Sequence, residues 1–194
     1  MINLIEYFTE QVEKANSIAI SDKKIAAVFP GGFTPFHKGH LEQYKKIQKS
    51  FPGLPVFILF KNTTTGKRAI LTADDKKRIV ESYGVKPEFV KESKGALWGF
   101  KSIQEAIGDY DIMILAYGEK ETEGSRRDGI KVTSFDDFKN KFVGINTYVY
   151  VIPKTTKYDI SGTELRDAVK NNNAKIFKKY LTQTAIELLR NKVQ

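Results

Sequence analysis

The sequence predicts an α/β fold: a mainly parallel sheet of about five strands with flanking helices, plus N-terminal and C-terminal helices. Three observations predict it. Short continuous apolar runs, such as Ile25-Ala26-Ala27-Val28, Val56-Phe57-Ile58-Leu59-Phe60 and Ile112-Met113-Ile114-Leu115-Ala116, read as strands buried on both faces. Segments with helical spacing stand between these runs, as β-α-β units require. Glycine, proline and short polar side chains mark the boundaries between the two kinds of segment.

Taken in order, residues 1–22 carry Leu4, Ile5, Phe8, Val12 and Ala15 at helical spacing and form an amphipathic N-terminal extension. Ile25 to Phe29 is the first strand, and Leu41 to about Ser50 a helix that Phe51-Pro52-Gly53 ends. Val56 to Phe60 is the second strand. Thr72, with Asp75 three residues on, opens a helix running to Tyr83. Pro87 to Val90 is a short strand, Leu97 to Ile107 a helix closed by Gly108, and Ile112 to Ala116 a buried strand. Residues 120–130 form a polar loop. Thr147 to Ile152 is the last strand, and Ser161 to about Asn171 a helix that Asn171-Asn172-Asn173 breaks. Residues 174–194 form a final helix, with its helical pattern over Ile176 to Val193. No repeat or linker divides the chain, so residues 1–194 make one domain with its core over 25–170.

Composition narrows the function classes. With 41% hydrophobic and 28% charged residues the chain reads as an ordinary globular protein. It has no cysteine, which removes disulfides, thiolate nucleophiles and Cys-based zinc sites. No apolar run approaches bilayer length, and the acidic start Met1-Ile2-Asn3-Leu4-Ile5-Glu6 is not a secretory signal, so a cytoplasmic location and no membrane partner are expected. The net charge of +9 suits a polyanionic ligand, either nucleic acid or a nucleoside triphosphate, although a solvated basic surface accounts for it equally well. No basic run is interleaved with aromatics, so nucleic acid is not the expected partner.

The densest chemistry lies in Phe29-Pro30-Gly31-Gly32-Phe33-Thr34-Pro35-Phe36-His37-Lys38-Gly39-His40, which holds both of the chain's 2 histidines. It joins a strand's carboxyl end to a helix's amino end, the usual ligand position in an open α/β sheet and a ready anion site. Two histidines without Asp, Glu or Cys at ligand spacing make a poor zinc site, so no protein metal site is expected. A second candidate is Ile160-Ser161-Gly162-Thr163-Glu164-Leu165-Arg166. Ser161 and Glu164 can form a capping box there, which suffices structurally. The helix amides, the hydroxyls of Ser161 and Thr163, and Arg166 can equally bind phosphate.

Together the two motifs resemble the nucleotidyltransferase superfamily that shares the HxGH signature. Its Gly-Gly-Phe-x-Pro-x-His-x-Gly-His segment is matched by Gly31 to His40, and its Ile-Ser-x-Thr-x-x-Arg segment by Ile160 to Arg166. The Pro-Gly-Gly-Phe-x-Pro-x-His opening is similar to that of short bacteriophage-encoded chains of this type. The resemblance covers roughly residues 25 to 170 and implies a Rossmann-like core. It implies transfer of a nucleoside monophosphate from a triphosphate to a phosphate-bearing acceptor, with release of pyrophosphate. His40 would stabilise the transition state and His37 would contact the triphosphate; Lys38, between them, is a further catalytic candidate. Gly31, Gly32, Phe33, Thr34, Gly39, Gly118, Ser161, Gly162, Thr163 and Arg166 would bind nucleotide or its phosphates. Mg²⁺ would bridge phosphate oxygens and keep its own waters.

Thr34 stands where many members have Asp or Asn, and Gly162 where some have a small hydroxyl or alanine. The Ile-Ser-Gly-Thr-x-x-Arg form resembles adenylyltransferases more than cytidylyltransferases. ATP is therefore the expected donor, and a phosphorylated small molecule such as nicotinamide mononucleotide the acceptor. The alternatives are a CTP-dependent cytidylyltransferase acting on a phosphorylated alcohol, and a nucleotide-binding protein without turnover. Lys67, Arg68 and Trp98 are weaker acceptor-binding candidates, and Arg78 a solvated-face residue at least as readily as a phosphate ligand. A lone tryptophan is more often core, and the core reading is favoured here for Trp98 over stacking on an acceptor ring. A homo-oligomer is compatible with the sequence.

Overall fold

The structure, a computed structural model, describes residues 9–12, 14, 19–62, 69–118, 129–153 and 158–193. Six strands make one sheet among these residues: β1 (Ile25–Gly31), β2 (Val56–Lys61), β3 (Val90–Ser93), β4 (Ile112–Gly118), β5 (Ile130–Val132) and β6 (Thr147–Ile152). Their order is β3-β2-β1-β4-β6-β5, and every neighbouring pair is parallel. The helices are α1 (Lys38–Ser50), α2 (Ala73–Glu81), α3 (Phe100–Ile107), α4 (Phe135–Asn140), α5 (Gly162–Lys170), α6 (Ala174–Tyr180) and α7 (Gln183–Val193).

The period-two alternation of a strand sorts side chains to two faces. Ala27, Phe29, Ile58, Phe60, Ile114, Ala116, Tyr148 and Tyr150 build the larger core, which α1, α2 and α5 to α7 cover with residues such as Ile47, Ile79, Leu165, Phe177 and Leu189. Ala26, Val28, Phe57, Leu59, Met113, Leu115 and Val149 face the other way, against Ile103 and Ile107 of α3. Helices thus lie on both faces of a parallel sheet, a Rossmann-like arrangement. From β1 the chain winds outward to β2 and β3; after β4, on the other side of β1, it crosses to β5 at the far edge and returns to β6 between them. The crevice above the carboxyl ends of β1 and β4 is therefore the topological switch point, where such sheets bind ligands.

Several boundaries differ from the sequence reading. Pro87–Phe89 is a 3₁₀ turn, and the strand follows it at Val90–Ser93, because Pro87 lacks the N–H that a ladder needs. The helix expected from Leu97 begins at Phe100, after Gly99 at its N-cap. β5 and α4 were not anticipated; three residues of strand and six of helix are too short to show periodicity. Ser134 caps α4 by accepting from the Asp137 N–H at 3.1 Å. The single C-terminal helix is two, parted at Leu181 and Thr182. Thr182 Oγ1 accepts the Ala185 N–H at 3.3 Å and restarts the helix. The C-terminal pair is fastened to α2: Tyr83 donates to the Tyr180 carbonyl at 2.8 Å, Ser82 and Thr182 hydroxyls pair at 2.7 Å, and Lys192 lies 3.6 Å from Asp75. Among the described residues no helix is long and apolar enough to cross a membrane. The N-terminal extension falls mostly outside the described residues.

Candidate active site

The first motif folds so that both histidines sit on the first turn of α1. The helix starts at Lys38, three residues before the sequence reading placed it, and His37 is its N-cap. His37 Nδ1 accepts the Gly39 N–H at 3.1 Å, and His40 Nδ1 accepts the His37 N–H at 3.3 Å. This is a capping box built from two imidazoles. Each Nδ1 takes a backbone proton, so each neutral ring carries its own proton on Nε2. The ring centroids are 3.8 Å apart with planes tilted by 33°.

Aromatic side chains surround the pair. Phe33, Phe36 and Phe29 lie 5.1, 5.4 and 6.4 Å from the His40 ring. His37 is only 5% exposed. Burial lowers its pKa to about 4, and burial followed by the adjacent His37 lowers that of His40 well below its ordinary value. At neutral pH both rings are uncharged hydrogen-bond donors through Nε2. The positive potential for an anion comes from the helix amides behind them.

The turn before the helix is shaped for close approach. Phe33 has φ 43°, outside the region most side chains favour, and its ring packs edge-on against Phe29 and Phe36. A Cβ on Gly31 would stand 2.5 Å from that ring, whereas one on Gly32 would meet nothing within 4 Å. The Thr34 hydroxyl donates to the Gly32 carbonyl at 3.0 Å and so supplies a local bond across the turn.

The second motif caps α5 as expected. Ser161 Oγ accepts the Glu164 N–H at 3.2 Å, while the Ser161 N–H and hydroxyl donate to Glu164 Oε2 at 2.8 and 2.7 Å. Two glycines then let the helix ends converge. A Cβ on Gly162 would lie 2.7 Å from the Thr34 carbonyl oxygen, and one on Gly39 would lie 2.7 Å from that of Tyr158. Arg166 completes the junction, donating from Nη1 to the Thr34 carbonyl at 2.5 Å and from Nη2 to Thr163 Oγ1 at 2.9 Å. Segments separated by 132 residues thus meet at one point above the sheet.

The structure brings together Gly31, Gly32, Phe33, Thr34, His37, Gly39, His40, Gly162, Thr163 and Arg166, with Ser161 at the α5 cap. Lys38 is the first residue of α1 and is half-buried. Gly118 ends β4 at the crevice. Trp98 is 49% exposed, which corrects the core assignment: it lies in the connection between β3 and α3, outside both core clusters. Arg78 is exposed on α2, the solvated-face position. Lys67, Arg68 and the loop at 119–128 lie outside the described residues.

Two polar side chains at this edge were missed. Lys76 is fully buried, donates to the Lys61 carbonyl at 2.7 Å and lies 5.8 Å from the Phe60 ring centre, so it ties the carboxyl end of β2 to α2. Burial lowers its pKa, and Glu92 partly opposes this. Its place on the stripe Lys76, Ile79, Val80, Tyr83 was the available signal. Gln43 stands one turn beyond His40 with its amide beside Gly118; the i, i+3 spacing from a site histidine was the clue.

A sequence model of the family described as cytidylyltransferase-like matches residues 28–168. None of the curated proteins matches the chain in sequence. Among solved structures, Plasmodium falciparum nicotinic acid mononucleotide adenylyltransferase is similar, both complexed with NaAD (TM-score 0.54, 15% identity) and complexed with APC (TM-score 0.51, 14% identity). In each case 87% of this chain and 95% of that chain are covered. The NadR protein in complex with NR is also similar, with TM-score 0.50, 17% identity, and 84% of this chain and 44% of that chain covered.

Proposed function

From the premise that the chain belongs to the cytidylyltransferase-like family, we propose that it is an adenylyltransferase joining AMP from ATP to a mononucleotide acceptor such as nicotinamide mononucleotide. The observation that carries the reading is that the histidine-capped N-terminus of α1 and the N-terminus of α5 meet at the switch-point crevice, where Arg166 joins them. Such a site recognises a polyphosphate.

In the reaction an acceptor phosphate oxygen attacks the α-phosphorus of ATP. The bond from that phosphorus to the oxygen bridging to the β-phosphate breaks, and pyrophosphate leaves with the electron pair. The attacking phosphate is already an anion, so no general base is needed. The barrier lies in bringing anions together and stabilising charge on the transferred group. His40 acts as a neutral donor to an α-phosphate oxygen. His37 donates to the triphosphate beside it. The α5 amides, Thr163 and Arg166 hold the leaving pyrophosphate. Ser161 joins them when the Glu164 carboxylate swings away. Trp98, exposed at the same edge, offers a ring face to the acceptor base. The described residues contain no cluster of three His, Cys, Asp or Glu side chains, so a divalent cation would ride on phosphate oxygens and water, where it neutralises charge.

ATP is favoured over CTP by the form of the second motif, and the activity of the fold neighbours points the same way. The test is pyrophosphate release with Mg²⁺, crossing ATP, CTP, GTP and UTP with nicotinamide and nicotinic acid mononucleotides, phosphopantetheine and glycerol phosphate. Release with ATP and a mononucleotide is expected. Release with CTP and a phosphorylated alcohol would establish the cytidylyl reaction instead.

A further inference from the structure

The face of α1 that meets the sheet carries a row of polar side chains, and nearly all are tied down. Tyr44 donates to the Val56 carbonyl at 3.3 Å, Lys46 to the Pro153 carbonyl at 2.8 Å, and Ser50 pairs with the Tyr150 hydroxyl at 2.8 Å. Gln43 is the exception. It is half-buried, and within the described residues no hydrogen bond engages its amide. A half-buried amide in this position keeps its hydrogen-bonding capacity for a ligand that enters the crevice.

Its position says which partner. Gln43 lies one helical turn beyond His40, on the same side of α1. Its Nε2 is 3.6 Å from where a Cβ on Gly118 would stand, and among the described residues, chain neighbours aside, nothing else lies within 4 Å of that point. Gly118 ends β4 beside the switch point, so the missing side chain leaves a space whose wall carries a free amide. With the α-phosphate at His40, the group directly attached to it, the ribose, is the one that reaches this space. An amide offers one acceptor and two donors side by side, which suits a vicinal diol.

We propose that Gln43 binds the ribose diol of the nucleoside triphosphate and makes the protein selective for ribonucleotides. This rests on the adenylyltransferase reading for the placement of the α-phosphate. Gln43 acts on ground-state binding and leaves the chemical step to the histidine turn.

The experiment measures binding of ATP, 2′-deoxyATP and 3′-deoxyATP by calorimetry, with the wild type and with Gln43→Met, which keeps length and bulk but removes the amide. The wild type is expected to bind each deoxy analogue about tenfold more weakly than ATP, the worth of one well-placed hydrogen bond. Gln43→Met is expected to bind ATP about tenfold more weakly and to treat all three alike. Equal wild-type binding of the three, or a methionine variant that keeps the wild-type ratio, overturns the proposal. Gln43→Leu, which also removes the amide, replaces the methionine variant if that does not fold, with the same loss of discrimination expected. Wild-type turnover with nicotinamide mononucleotide is measured in parallel. Selective ATP binding without turnover tells against adenylyl transfer and leaves the ribose contact standing; turnover without ribose discrimination does the reverse.

Discussion

Arg166 donates to the main-chain oxygen of Thr34 at 2.5 Å and so locks the histidine turn to the start of α5. The guanidinium spends part of its fork on the protein itself and holds Thr163 with another N–H. Its role is therefore double: a cation for phosphate and a clasp between two motifs. Arg166→Ala is expected to weaken ATP binding at least tenfold and to lower stability by about 2 kcal/mol, the worth of a hydrogen bond to a charged group. Arg166→Lys keeps the charge but not the fork, and is expected to recover only part of either loss. Calorimetry with ATP and thermal melts measure both; unchanged ATP affinity in Arg166→Ala would contradict the assignment.

Gly162 tests the same junction from the other side. A methyl group there would press on the Thr34 carbonyl oxygen from 2.7 Å, and backbone cannot yield cheaply. Gly162→Ala is expected to keep the fold while kcat/KM falls tenfold or more, because α5 must retreat from the histidine turn. An alanine variant with full activity would show that this spacing is not needed.

Glu164 occupies the donors of Ser161 with its own carboxylate. Hydrogen bonds from the Ser161 hydroxyl and N–H lower its pKa, so it is charged at neutral pH and stands where a phosphate oxygen would be received. Glu164→Gln is expected to tighten ATP binding several-fold while reducing the melting temperature slightly, since it trades a charged cap for a neutral one. Weaker ATP binding in this variant would mean that the carboxylate assists the nucleotide.

Burial of the histidines makes stability depend on pH. The folded pKa of His37, about 4, lies below the ordinary 6.5, so the unfolded chain binds the proton more readily. Stability is complete above about pH 6.5 and falls as the pH drops toward 4, by about 3 kcal/mol for this residue, with His40 acting in the same direction. Urea titrations across this range are expected to show that decline. His37→Asn, which retains a capping acceptor, is expected to flatten it; an unchanged slope would place the proton uptake elsewhere.

The strands, the helices that follow them and both motifs were legible because burial on two faces and helical amphipathicity leave strong periodic signals. Thr72 with Asp75 and Ser161 with Glu164 cap helices as their spacing predicted. What escaped was set by tertiary contact. Nothing local says that Trp98 stays outside the core, that the Thr34 carbonyl is the anchor for Arg166, or that Gly162 is glycine because that carbonyl crowds it. The histidine cap was missed because imidazole is an uncommon N-cap, so the helix was started at Leu41 rather than Lys38. β5 and α4 were too short to register.

The central claim, adenylyl transfer at the histidine turn, is tested most directly by pyrophosphate release from ATP and nicotinamide mononucleotide by the wild type and His40→Ala, with circular dichroism confirming that the variant is folded. Turnover in the wild type that drops about 10²-fold or more in His40→Ala is expected, the worth of one donor aimed at the transition state. A folded His40→Ala protein that turns over at the wild-type rate would contradict the account.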